Sequence, residues 1–220
     1  MIKKLQALKA KKGFTLVELI VVIAIIGVLA AILVPTMLGY VTSSRVTSAN
    51  STAASIKNNI GTFLTNADTA GYGMKQSNTN MVKLVITVSG GTWTVEGSGE
   101  GSTVWADAFK KSSSCSWDST SESGSANQSK TGVSAATKLL AIELANLFPD
   151  LQSASIIAYL KAGTCTAVAY TADQNTSISA NDMPGVSNCE FSATFAWDSK
   201  TAGVSPSGII VGTAPSVPLG

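Results

Sequence analysis

Between Leu16 and Val34 the chain has one charged side chain, Glu18. A carboxylate inside an apolar helix costs roughly 2.5 to 3.5 kcal/mol on membrane-insertion scales, so it needs a partner or a way out of the hydrocarbon. Ion pairing is the chemistry such a group offers. The plain alternative is that Glu18, near the start of the run, snorkels to the interface. Catalysis starts at a disadvantage, because the chain has no histidine. Its absence removes the commonest general base and metal ligand, and with them Ser-His and Cys-His nucleophiles.

Elsewhere the chemistry-bearing residues are sparse. Trp93, Trp105, Trp117 and Trp197 would form an aromatic platform for a polysaccharide or another surface, or else pack as core anchors, the commoner fate of such side chains. Asp173 and Asp182 flank a polar loop with Asn175 and Asn181. The spacing follows no EF-hand pattern, so an ordinary solvated loop is the favoured reading and no metal or cofactor is expected. The net charge of +2 hides an asymmetry: Lys3, Lys4, Lys9, Lys11 and Lys12 supply five of fifteen positive charges before Phe14. After Gly13, ten basic residues face thirteen acidic ones, net −3, with no basic patch to suggest nucleic-acid binding.

The element that positions Glu18 is a membrane-length helix. Nineteen residues from Leu16 to Val34 cover roughly 28 Å at about 1.5 Å per residue, enough to cross a bilayer. The lysine-rich start stays cytoplasmic by the positive-inside rule, and the C-terminus goes outside. No small-residue cleavage site follows the run, which continues through Pro35 into a helical pattern, so the segment is retained rather than removed as a secretory signal. Gly27 and Ala31 form a small-xxx-small pair that permits close helix approach. Pro35 lacks an amide hydrogen, making Gly27 to Pro35 the stretch where the helix is expected to kink or unwind.

The string Lys11-Lys12-Gly13-Phe14-Thr15-Leu16-Val17-Glu18-Leu19, followed by an apolar run with Gly27 and Pro35, resembles the class III signal of type IV prepilins. The resemblance is sharp over about residues 11 to 40 and architectural beyond. It implies that a membrane peptidase, recognising Lys11 and Lys12, cleaves between Gly13 and Phe14 and methylates the new amine. Glycine suits that role because the protease meets no side chain there. The resemblance further implies that Glu18 pairs with the Phe14 amine of a neighbouring subunit, and that Gly27 and Pro35 take part in assembly. An unpaired buried charge is penalised, so such a pair would set axial register more than it adds stability.

Past Pro35 an amphipathic stripe, Leu38, Val41, Val46, Ala49, Ala53, Ile56, Ile60, Phe63 and Ala67, predicts a helix lying on a domain, with Ser43, Thr47, Ser51, Ser55, Asn58 and Thr62 opposite. From Phe14 to about Ala67 the helix would measure roughly 81 Å, too long for a domain of this size to bury, so its N-terminal half must project. Gly71-Tyr72-Gly73 ends it. Val82 to Val88 and Thr92 to Val95, joined at Ser89-Gly90-Gly91, predict a hairpin. Ser112 to Lys130 reads as a loop. Ser134 would cap a helix running to Pro149, and a second short helix is expected around Ser153 to Lys161. Three more strands are expected at Thr164 to Thr171, Cys189 to Trp197 and Ser207 to Thr213. The fold class is α+β: a long N-terminal helix, apolar half projecting and amphipathic half packed on an antiparallel sheet of four or five strands, which agrees with the pilin fold. The organisation expected is a removed leader at 1–13, a transmembrane or filament-core segment at 14–35, and the amphipathic half plus head domain at 36–220.

Cys115, Cys165 and Cys189 lie outside the membrane in this topology, where one disulfide can form. Cys165 with Cys189 is the pair chosen, both being on predicted strands, with Cys115 free or paired between molecules; the alternative is that all three stay reduced, as in a strict anaerobe. The function these readings imply is a non-enzymatic pilus subunit: a homo-oligomeric helical filament serving adhesion, twitching motility or DNA uptake. Its partners would be prepilin peptidase, the assembly platform and ATPase, and the membrane before assembly, with direct nucleic-acid contact not expected. The precursor would sit as a single-pass inner-membrane protein and the product in an extracellular pilus. The alternatives are a pseudopilin of a type II secretion or competence system and a non-polymerising, membrane-anchored polysaccharide-binding module.

Overall fold

The computed structural model describes residues 14–74, 81–99, 109–111, 136–172, 186–187, 190–191 and 202–217. Two compact units divide between Ser43 and Ser44.

Helix α1 runs from Leu16 to Thr69 without interruption, including at Gly27 and Pro35. The expected unwinding is absent from this chain. Proline removes one backbone donor, and Thr36 engages carbonyls of the preceding turn, its hydroxyl donating to Leu33 O at 2.8 Å and more distantly to Ile32 O at 3.5 Å. In the first unit the large apolar side chains of α1 are all exposed, from Leu16 to Val41.

The second unit is closed by a core. Val46, Ala49, Ala53, Ile56, Ile60, Phe63, Leu64 and Ala67 of α1 are buried at three- and four-residue steps. The helix stops at Thr69, and Gly71 adopts φ 95°, which a side chain would resist. Strand β1 (Tyr72–Met74) follows, then the hairpin β2 (Val82–Ser89) and β3 (Thr92–Gly99). Gly90 and Gly91 both have positive φ, at 56° and 75°, as a two-residue turn matching the strand twist requires. Strand β4 (Phe109–Lys111) pairs with β1. Helix α2 (Ala136–Leu147) packs along β3, and then β5 (Ser153–Lys161) and β6 (Thr164–Thr171) form a second hairpin. Short β7 (Val186–Ser187) and β8 (Glu190–Phe191) pair with each other, and β9 (Gly212–Ala214) ends the series. The main sheet is antiparallel, in the order β3-β2-β5-β6-β9.

Residues 153–161 are a central strand, not the short helix expected. Ala154, Ile156, Ala158 and Leu160 face the helices, while Ile157 and Tyr159 join a second apolar cluster with Ala167, Ala169, Val211 and Val217. A strand buried on both faces reads as an unbroken apolar run, which periodicity does not separate from a buried helix. The β5–β6 turn holds Ala162 at φ 47° and Gly163 at φ 79°, and β6 starts at Thr164 as expected. The last strand begins at Gly212 rather than Ser207, with Ile210 making only an isolated bridge to Val204. The expected strand Cys189 to Trp197 coincides with described structure only at β8. Ser112 to Lys130 and Ser134 lie outside the described residues.

Two contacts bring the C-terminal segment onto α1. A side chain on Gly212 would run into the carbonyl of Ala49, and one on Gly203 into Val46. Glycine at both places lets backbone meet helix directly. Asn50 adds a tie, its Oδ1 accepting from Thr213 N–H at 2.8 Å.

Candidate functional site

The N-terminus of α1 is built by reciprocal hydrogen bonds. Thr15 stands at the cap position. Its hydroxyl accepts from Glu18 N–H at 3.2 Å and donates to Glu18 Oε2 at 2.8 Å, and the same carboxylate oxygen accepts from Thr15 N–H at 2.8 Å. Two backbone donors that the first turn leaves without helical partners are thereby satisfied. Glu18 is thus folded back over the helix end, with its negative charge at the positive pole of the helix dipole. Phe14 precedes this arrangement and is 91% exposed.

Sequence reasoning assigned Glu18 a partner in another subunit and missed Thr15. The signal was present: Thr15-x-x-Glu18 directly before an apolar run is a capping box.

Beyond this cap α1 offers a surface, not a pocket. The helix is long and apolar enough to cross a membrane and is wholly exposed over its most apolar window among the described residues. Adding a side chain at Gly27 would meet nothing within 4 Å. Among the described residues, packing therefore gives no reason for glycine at that position. Gly13, Lys11 and Lys12 lie outside the described residues.

The remaining sequence candidates separate. Trp93 is 3% exposed and stacks on Phe148, with ring centroids 6.2 Å apart and planes at 29°. It is a core anchor of β3 against the end of α2 and has no open face for a ligand, so it leaves the proposed platform. Trp105, Trp117 and Trp197 lie outside the described residues, as do Cys115, Asp173, Asn175, Asn181 and Asp182. Cys165 is a free, buried thiol rather than half of a bridge, and Cys189 is outside the described residues. Burial pushes the Cys165 thiol up to about 12, with nearby Lys57 acting weakly in the opposite direction. A register shift places it there. The step from Tyr159 opposite Ala167 to Leu160 opposite Cys165 leaves Thr166 as an extra residue, whose hydroxyl donates to Tyr159 O at 3.1 Å. That bulge turns Cys165 to the same face as Val168 and Tyr170, into the core.

Comparison with known proteins falls on the same segment. The family model for the prokaryotic N-terminal methylation motif matches residues 8–34. A fimbrial protein of Pseudomonas aeruginosa is 50% identical over 50 residues, 23% of this chain and 32% of that protein. Fimbrial protein Q of Moraxella bovis is 39% identical over 85 residues, 39% of this chain and 54% of its own. The type IV major alpha-pilin of Moraxella bovis is 55% identical over 40 residues, 18% and 25% of the two chains. The chain spans about a third to a half of the length of the first relatives it matches. No solved structure matches it.

Proposed function

We propose that this chain, which carries the class III signal and N-terminal helix of a type IV pilin, is a structural subunit of a surface filament built around that helix. The observation that carries the proposal is the contrast within α1: large apolar side chains from Leu16 to Val41 lie open, while Ile56, Ile60 and Phe63 are at most 1% exposed. Leaving a large aliphatic side chain in water forfeits about 1.5 to 3 kcal/mol of burial. A row this long needs lipid first and other protein afterwards.

In this reading prepilin peptidase, recognising Lys11 and Lys12, cleaves Gly13–Phe14 and methylates the amine of Phe14. The precursor resides in the inner membrane as a single span. The assembly platform and its ATPase then move each helix from lipid into the fibre. Glu18, held at the helix end by Thr15, meets the Phe14 amine of a neighbour and fixes the axial offset, and Gly27 and Pro35 adjust the helix where subunits crowd. The fibre as a whole serves adhesion, twitching motility or DNA uptake.

The test is to shear cells, collect extracellular filaments and identify the N-terminal peptide of this protein by mass spectrometry. A peptide beginning at methylated Phe14 in abundant filaments is the expected result. Processed protein confined to membranes would favour a pseudopilin, and an uncleaved leader there would contradict both.

A further inference from the structure

A cation and a buried hydroxyl, neither with a protein partner, border one cleft of the folded unit. The cleft measures about 760 Å³ and opens between α1, the end of β6 and the segment before β9. Arg45 stands exposed on its α1 side, while Tyr170, only 7% exposed, lies on its sheet side. Among the described residues neither the guanidinium nor the phenol has a hydrogen bond or an ion pair. A hydroxyl taken out of water without a partner is destabilising, so Tyr170 is placed for something that enters from outside. Burial raises its phenol above the ordinary value of 10, which keeps it protonated and able to donate.

The wall opposite the sheet is built, not loose. Ser205, fully buried, donates its N–H to Ile209 O at 2.8 Å, and its hydroxyl accepts from Ile209 N–H at 3.2 Å. Gly208, at φ 78°, closes the turn by donating to Ser205 O at 2.8 Å. This turn presents Ser207 and the half-buried Ile209 and Ile210 to the cleft, facing Ser48 and Ala49 of α1. Tyr170 and Thr52 also line a neighbouring cleft of about 350 Å³, so the two adjoin. Volumes of about 300 to 1,000 Å³, mostly apolar with a few placed polar groups, suit small ligands.

The lining chemistry narrows the class. Among the described lining residues Arg45 alone carries a charge, and its planar fork matches a carboxylate through two parallel hydrogen bonds. The hydroxyls of Ser48, Ser207 and Tyr170 can each donate or accept, as the hydroxyls of a sugar require. An extended peptide would ask for an open strand edge, and β6 is flanked on both sides, by β5 and β9. We propose that this cleft binds a carboxylated sugar, its carboxylate on Arg45 and its hydroxyls on Tyr170, Ser48 and Ser207, with the adjoining cleft taking the next unit of an acidic oligosaccharide. The site lies within the second unit and goes beyond the filament reading, on which it does not depend.

The experiment titrates the full-length protein in detergent with trigalacturonate by isothermal calorimetry, against neutral maltotriose, free galacturonate and the tripeptide Gly-Gly-Glu. Saturable binding of trigalacturonate is expected, tighter than free galacturonate and at least about tenfold tighter than maltotriose, the size of one charge-assisted hydrogen bond. Arg45→Gln should weaken it at least about tenfold, Arg45→Lys by less, and Tyr170→Phe by about two- to tenfold. Lys83→Gln removes an equal charge from the outer face of the sheet and should leave binding unchanged. Thermal unfolding at the wild-type temperature for Arg45→Gln and Lys83→Gln separates lost binding from lost fold. No binding of trigalacturonate, equal binding of maltotriose, or equal losses from Arg45→Gln and Lys83→Gln would overturn the proposal. Tighter binding of Gly-Gly-Glu would overturn it in favour of an acidic-peptide site, and equal affinity for free galacturonate would overturn the second subsite.

Discussion

Helix α1 compares two solvents along one element. From Leu16 to Val41 its large apolar side chains are 42 to 73% exposed, whereas Ile56, Ile60 and Phe63, a few turns on, are at most 1% exposed. Both halves are helical, so backbone preference does not distinguish them. The first half is apolar on every side, as a helix is when lipid or protein surrounds it completely. The second half divides its residues, apolar toward the sheet and hydroxyl-bearing away from it. In the proposed filament, the first half takes its cover from outside the chain.

The largest effect should come from truncating the two halves in parallel. Ile60→Ala should cost the folded unit about 2 to 5 kcal/mol, the range for emptying a packed aliphatic site. Ile25→Ala should leave its unfolding unchanged, as read by denaturant titration of the detergent-solubilised protein. A comparable loss at both sites would break the comparison. Next, Gly212→Val should destabilise by about 1 to 3 kcal/mol or more, because the new side chain must displace the Ala49 carbonyl, and the same titration reads it.

The buried thiol sharpens the picture of the covered half. Cys165 titrates from an ordinary value of 9.0 when unfolded to about 12 when folded. The folded state holds the proton more tightly, so its stabilising contribution is complete below pH 9 and is lost as pH rises toward 12. Cys165→Ala should flatten that part of the stability-versus-pH curve, and in the native protein at pH 8 the thiol should react with a disulfide reagent only on unfolding. The smallest effect is at the cap. Thr15→Ala should cost about 1 kcal/mol of first-turn stability, seen as faster amide exchange in the first turn of α1 with no change in unfolding of the second unit. Thr15→Ser should restore it.

Much of this was legible in the sequence because local rules and tertiary demands agreed. The expected stripe matches the buried residues of α1 from Val46 to Ala67, although its first members, Leu38 and Val41, are exposed, and Gly90-Gly91 fixed the first hairpin. The misread segment was 153–161, where burial on both faces removed the alternation that marks a strand. Trp93 took the commoner of the two fates its type allows: composition marks an aromatic residue as capable of binding, and the fold shows that Phe148 and the core cover it. Cys165 turned inward through a bulge at Thr166 that no spacing rule anticipates. The cap at Thr15 was readable and overlooked, since the acid at position 18 drew attention to a distant partner when a near one sat three residues before it.

The central claim, that other copies cover the first half of α1, is tested most directly by hydroxyl-radical footprinting of sheared filaments in water, with modified side chains mapped by mass spectrometry. Peptides spanning Leu16 to Val41 should be protected, while Val85, exposed on the outer sheet face, should be modified. Modification of Ile20, Ile25 and Leu33 at the level of Val85 would contradict the account.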